Sequence, residues 1–233
     1  MKITIAEEDA RKYLRSTGWL AATPDEFARR LVSAASVIHA PRGLSPQHVG
    51  DEPGGLWGIA DGALALEVAP GRGAPEASFL LHAGAWCGEG GVIAGIPRIV
   101  GLKTTRRSVL LHMPHRRFFE IAREIPDAWR WVAGLSLGNT QRAIALADAL
   151  MIRDSATRSA TVIACLTGAR GPGPVAPPPI ELDLTQAELA RIANVSRSVL
   201  NPTLRDLSAR TLIETRRNMV VVRDLPGLET VAG

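Results

Sequence analysis

The sequence predicts an α+β chain: a β-rich N-terminal half, a long Ala/Leu helix, and a small C-terminal domain of two helices and a hairpin. Three observations carry this. Residues 45–115 read as short apolar runs separated by Gly- and Pro-bearing turns. Residues 127–167 are rich in Ala and Leu and contain no proline. Residues 168–179 (GARGPGPVAPPP) can be neither a helix interior nor a central strand.

In the β-rich half, Leu56–Ala60 and Ala63–Val68 flank Asp61-Gly62, a hairpin signal. Ser78–His82 and Ser108–Met113 are further strand candidates, and the whole suggests a sandwich or jelly-roll-like barrel. In the helical stretch, Val132, Leu135, Ala143, Leu146 and Leu150 recur at helical spacing and form one apolar stripe. That stripe serves either a core or a dimer seam, and a β-domain with its own core favours the seam. Asp154 then N-caps a second helix reaching Leu166. The expected domains are 1–126, a β-domain; 127–167, a dimerisation helix and a short following helix; 168–179, a linker; and 180–233, a C-terminal domain.

Composition excludes several classes. With 46% hydrophobic and 21% charged residues, the 233-residue chain is ordinary globular material. No apolar run approaches the ~18 residues of a membrane span, and the charged N-terminus has no signal-peptide core. A cytoplasmic protein that does not engage membranes is expected. Cys87 and Cys165 stand far apart, and His39, His48, His82, His112 and His115 show no ligand spacing, so no metal site is expected. No nucleophile–base pair or carboxylate dyad stands out, so no catalytic residue is assigned and no enzyme is expected. The net charge is +4, yet seven arginines against Asp206 and Glu214 give residues 191–223 a net +5 of their own. Such a cluster suits a polyanion partner or a merely solvated face.

The C-terminal segment decides between these. Thr185-Gln-Ala-Glu188 is a capping box opening a short helix with Leu189, Ile192 and Ala193 on its apolar side. Asn194-Val195 makes a tight turn, and Ser196 caps a second helix, Arg197 to about Ala209, buried through Leu200, Leu204 and Leu207. Thr211–Thr215 and Met219–Arg223 form a hairpin over Arg216-Arg217-Asn218. Helix, turn, helix and basic hairpin describe a winged helix-turn-helix. Pro202 costs roughly 3 kcal/mol inside such a helix, and a kink is expected there.

The run Leu184–Leu200, with Leu204, Leu207, Leu212 and Ile213, closely resembles the DNA-binding domain of the Crp/Fnr (cyclic-AMP receptor and fumarate-nitrate regulator) family. The resemblance implies that Arg197 reads guanine in the major groove of duplex DNA, beside Ser198, Val199 and Asn201 on the recognition helix. It implies phosphate contacts from Thr185, Gln186, Ser196, Arg205, Arg216 and Arg217. Ser198 replaces a base-reading glutamate and Pro202 a second arginine of the best-known members, so their target sequence does not carry over.

Gly88–Val100 (GEGGVIAGIPRIV) likewise resembles the phosphate cassette of cyclic-nucleotide-binding β-rolls. By that resemblance Gly88 allows close backbone approach, Glu89 meets a ribose hydroxyl, and Arg98 with the N–H groups of Ile99 and Val100 meets a cyclic phosphate. Asn139 and Thr140 are the polar candidates for a base, and cAMP or cGMP is the implied effector. The alternative is a retained turn in which Glu89 and Arg98 pair with each other. The implied protein is a homodimer on a near-palindromic operator, with RNA polymerase as a further partner. Its rivals are a constitutive regulator with a degenerate sensor and a protein-interaction adaptor.

Overall fold

The structure is a computed structural model and describes residues 5–69, 73–172 and 175–233. Residues 173 and 174 of the expected linker, and the first four of the N-terminus, lie outside the described residues. The chain divides into two compact units, Met1–Glu76 with Leu81–Asn139, and Ala77–Leu80 with Thr140–Gly233.

The first unit opens with three helices that the sequence reading left unassigned: α1 (Glu7–Arg15), α2 (Gly18–Ala21) and α3 (Asp25–Ala34). Acidic residues fill the first turns of α1 and α3, complementing the helix dipole. Strands β1 (Ser36–Ala40), β2 (Gly55–Asp61), β3 (Ala63–Val68), β4 (Glu76–His82) and β5 (Trp86–Cys87) follow. Then come α4 (Glu89–Ala94), β6 (Gly101–Thr104), β7 (Ser108–Pro114) and α5 (His115–Glu124). One antiparallel sheet runs in the order β1-β7-β2-β5. Separately, β3 pairs with β6 from Leu64↔Thr104 to Glu67↔Gly101.

The expected hairpin at Asp61-Gly62 is therefore corrected, because β2 and β3 belong to different sheets. Only Gly62 separates them, too short a link for a two-residue hairpin turn. Instead the ladder of β2 with β7 shifts register between Ile59 and Asp61, and the chain turns a corner at Gly62, φ +91°. A Cβ there would stand 2.2 Å from Ser108 Oγ, so only glycine fits the corner.

Helix α6 (Ala128–Met151) begins inside the first unit. Trp131, Val132 and Leu135 join the core with Phe27, Trp86 and Phe118. Trp19 Nε1 donates to the Trp131 carbonyl at 2.8 Å, and the Trp131 ring lies 4.6 Å from Phe27. The expected apolar stripe is corrected here. Val132 and Leu135 are core residues, whereas Ala143 and Leu150 are exposed. A different row, Ala133, Leu137, Thr140, Ile144, Ala147 and Met151, is exposed throughout and alternates steps of four and three.

The second unit holds α7 (Ser155–Leu166), β8 (Ile180–Leu182), α8 (Gln186–Ile192), α9 (Arg197–Ala209), β9 (Ile213–Arg216), β10 (Met219–Val222) and α10 (Leu225–Ala232). Asp154 caps α7 by accepting from the Thr157 amide at 2.7 Å. A three-stranded antiparallel sheet runs β8-β10-β9. Leu189, Ile192, Leu200, Leu204, Leu207, Val220 and Val222 are buried. Thr161 Oγ1 donates to the Ala232 carbonyl at 2.8 Å, tying α10 to α7.

Candidate nucleic-acid interface and effector cassette

The turn between α8 and α9 is fixed by local chemistry. The Glu188 amide donates to Thr185 Oγ1 at 3.1 Å, and the Thr185 amide donates to Glu188 Oε2 at 2.7 Å, closing the capping box. Asn194 takes φ +51°, and the Val195 amide donates to the Ala190 carbonyl at 2.9 Å. Ser196 caps α9 by accepting from the Val199 amide at 3.3 Å. These contacts present the first turn of α9 outward, with Ser196, Arg197, Ser198 and Val199 exposed.

Helix α9 runs from Arg197 to Ala209 with Pro202 inside it. The missing amide of Pro202 would have bonded the carbonyl of Ser198, an exposed residue whose carbonyl solvent can reach. Among the described residues, Arg197, Arg205 and Arg217 make no ion pair or hydrogen bond, and all three are exposed. Asn201 and Gln186 are half-buried.

The wing differs from expectation in one detail. Arg216 closes strand β9 rather than sitting in the turn, which is Arg217-Asn218 with Asn218 at φ +58°. Arg216 therefore faces Glu214, its Nε donating to Oε1 at 2.6 Å. Arg223 donates to the other oxygen of the same carboxylate. These two arginines hold the Glu214 carboxyl at about 2, against 4.5 ordinarily. A lowered folded-state value stabilises the wing above the ordinary carboxylate range, and that stabilisation fades as pH falls through about 2. NMR titration of Glu214 is expected to show its midpoint there. Glu214→Gln releases Arg223 and leaves Arg216 only its 3.8 Å pair with Glu181, so DNA affinity is expected to rise and the slope of log K against log salt to steepen by about 1 for each arginine released.

In the β-domain, Arg98 is 5% exposed and turned inward. Its Nη1 donates to the Gly88 carbonyl at 2.8 Å and its Nη2 to the Gly55 carbonyl at 2.7 Å. Glycines surround the guanidinium: a Cβ at Gly54 would stand 2.9 Å from Nη2, and one at Gly88 or Gly91 3.1 Å from Nη1. Burial pushes the Arg98 pKa down, with Cys87, Glu89 and Asp51 opposing. Burial also raises both thiols, Cys165 to about 11, so neither is a thiolate at neutral pH.

Glu89 does not pair with Arg98. Its Oε1 accepts from Asn139 Nδ2 of α6 at 3.0 Å, and the same amide donates to the Trp86 carbonyl at 3.2 Å. The structure thus brings Glu89 and Asn139 together. The amides of Ile99 and Val100 have no acceptor among the described residues, and the Ile99 side chain is 72% exposed. Thr140 is exposed on the next residue of α6. Gly54, Gly55 and Gly91 were not among the expected site residues, although the repeated glycines around Arg98 were the available signal.

The family of Crp-like helix-turn-helix domains matches residues 146–231. Among solved structures, a CRP-family transcriptional regulator from Thermus thermophilus is 18% identical, covering 85% of this chain and 96% of its own, with TM-score 0.61. Residues 146–231 are thus similar to a Crp-like helix-turn-helix domain, and the chain as a whole shares the fold of these structures. A candidate cyclic nucleotide binding protein from Ruegeria pomeroyi shares this chain's fold at TM-score 0.67 and 18% identity, over 98% of this chain and 99% of its own. So does the c-di-GMP responsive global regulator CLP of Xanthomonas campestris, at TM-score 0.62 and 21% identity, over 86% and 99%. No curated protein matches the sequence significantly. No helix among the described residues is long and apolar enough to cross a membrane.

Proposed function

We propose that the chain is a homodimeric, sequence-specific regulator whose DNA binding is gated by a small anionic effector at the 88–100 cassette. The observation that carries the gating is the hydrogen bond from Asn139 of α6 to Glu89 of the cassette. A ligand that draws Glu89 away must also release α6 at that point, which converts occupancy into helix position. The free amides of Ile99 and Val100 supply an anion-binding edge. The likeness to cyclic-nucleotide and c-di-GMP regulators makes cyclic AMP, cyclic GMP and cyclic di-GMP the first ligands to try.

In this reading, the exposed four-three row of α6 joins two copies, and the two α9 helices enter successive major grooves ~34 Å apart on a near-palindromic operator. Arg197 addresses guanine. Thr185, Gln186, Ser196, Arg205, Arg216 and Arg217 address phosphates, with RNA polymerase as the partner at the promoter.

One observation favours a second reading. Both terminal nitrogens of Arg98 already serve backbone carbonyls, as a purely structural arginine would. In that case the regulator is constitutive. Calorimetric titration of the dimer with the three nucleotides, repeated in Asn139→Ala, separates the two. Gating predicts micromolar binding to the wild type, with nucleotide changing operator affinity at least tenfold there and far less in Asn139→Ala. Absence of heat with every nucleotide, from folded dimeric protein, removes gating by these ligands and leaves constitutive binding as the function.

A further inference from the structure

The first two turns of α9 offer DNA few hydrogen-bonding groups. At 100° per residue, buried Leu200, Leu204 and Leu207 define the inner side of the helix, and Ser198, Pro202 and Arg205 lie opposite. Val199 flanks this outer face three residues before Pro202, so the two side chains are neighbours. The Ser198 hydroxyl is already engaged, 2.8 Å from the Ser196 hydroxyl. Between Arg197 and Arg205 the outer face therefore pairs the Ser198 hydroxyl with an apolar patch made of the Val199 methyls and the Pro202 ring. Among the described residues after Met151, Val199 is the only large hydrophobic side chain left exposed, at 41%. Pro202 is exposed as well, although proline costs the helix a hydrogen bond. Folding explains neither residue at these positions.

We propose that Val199 and Pro202 form an apolar reading surface that selects thymine through its C5-methyl group, next to the guanine addressed by Arg197. In the major groove that methyl is the one apolar feature of a base pair, and a rigid hydrocarbon surface is its natural complement. A cytosine or a guanine there would lose hydrogen bonds to water against the valine and proline and gain none in return. The inference rests on the DNA-binding reading and adds a base preference to it.

The test is selection of duplexes from a random pool by the full chain, without nucleotide and with each of the three nucleotides. Wild-type protein is expected to enrich half-sites with a guanine beside one or two thymines. Replacing those thymines by deoxyuracil, which deletes only the methyl, is expected to weaken binding about fourfold per methyl buried. Val199→Ala and Pro202→Ala should flatten the thymine preference and the uracil penalty while keeping the guanine. Arg197→Ala should lose the guanine. Pro202→Ala should also raise the unfolding midpoint, since alanine restores the helix amide, so lost selectivity would not be lost folding. Equal binding to thymine and uracil duplexes, or a thymine preference that survives the double variant Val199→Ala/Pro202→Ala, overturns the proposal and leaves DNA reading intact. A pool that yields no enriched sequence under any condition overturns both.

Discussion

Arg98→Ala is expected to lower the stability of the first unit by roughly 2–5 kcal/mol with no effector present, because the buried Gly55 carbonyl and the half-buried Gly88 carbonyl lose their donors together. The Gly55 and Gly88 oxygens sit 2.7 and 2.8 Å from the guanidinium, inside a ring of glycines that admits no replacement side chain. The cavity adds to the loss. All five tryptophans, 19, 57, 86, 129 and 131, lie in the first unit, so urea unfolding followed by tryptophan fluorescence reports on that unit alone. An unchanged midpoint would show that Arg98 contributes nothing to folding and is held ready for a ligand. The expected result has a practical side. Loss of nucleotide binding in Arg98→Ala cannot be read as loss of a ligand contact, and Asn139→Ala is the cleaner variant.

Leu137→Asp combined with Ile144→Asp is expected to produce a folded monomer. Leu137 and Ile144 are 61% and 54% exposed and stand seven residues apart, with Met151 a further seven along. Heptad spacing on an unbroken helix is the pattern of a coiled-coil seam. A charge at each of two seam positions has no partner in the opposite helix. Losing the second half-site removes the gain from bivalent binding, on the order of 10²-fold or more in operator affinity. Light scattering gives the mass, and circular dichroism should match wild type, since neither side chain is buried within one copy. A double variant that remains dimeric would place the interface elsewhere.

How legible these features were differs between the halves. In the second unit the signals are short-range: Thr185 and Glu188, Asn194, Ser196 and Asp154 each specify their own turn or cap, and each does so in the structure. The β-domain depends on distant partners. Asp61-Gly62 carries a local hairpin signal, yet β2 finds β7 and β3 finds β6, a choice made by strands far downstream in sequence. Helices α1 and α3 did leave a trace, in acidic first turns and apolar spacing, that a reading centred on glycine and proline passed over. The stripe on α6 failed for a physical reason. A helix that is half core and half surface carries two apolar rows, and periodicity does not say which row faces which neighbour. For the cassette, the family resemblance pointed to Glu89 and Arg98, but whether a guanidinium faces outward or inward depends on the backbone around it.

The shared carboxylate of the wing bears on how such a regulator finds its target. A genome is almost entirely wrong DNA, and a protein that grips every phosphate strongly spends its time there. On the DNA-binding reading proposed above, Glu214 would compete with the backbone for Arg216 and Arg223 at each encounter. Those two cations would be surrendered only where the rest of the interface holds the duplex long enough for phosphates to displace the glutamate. The carboxylate would then shorten visits to random sequence more than it shortens residence on the operator, trading raw affinity for a faster search.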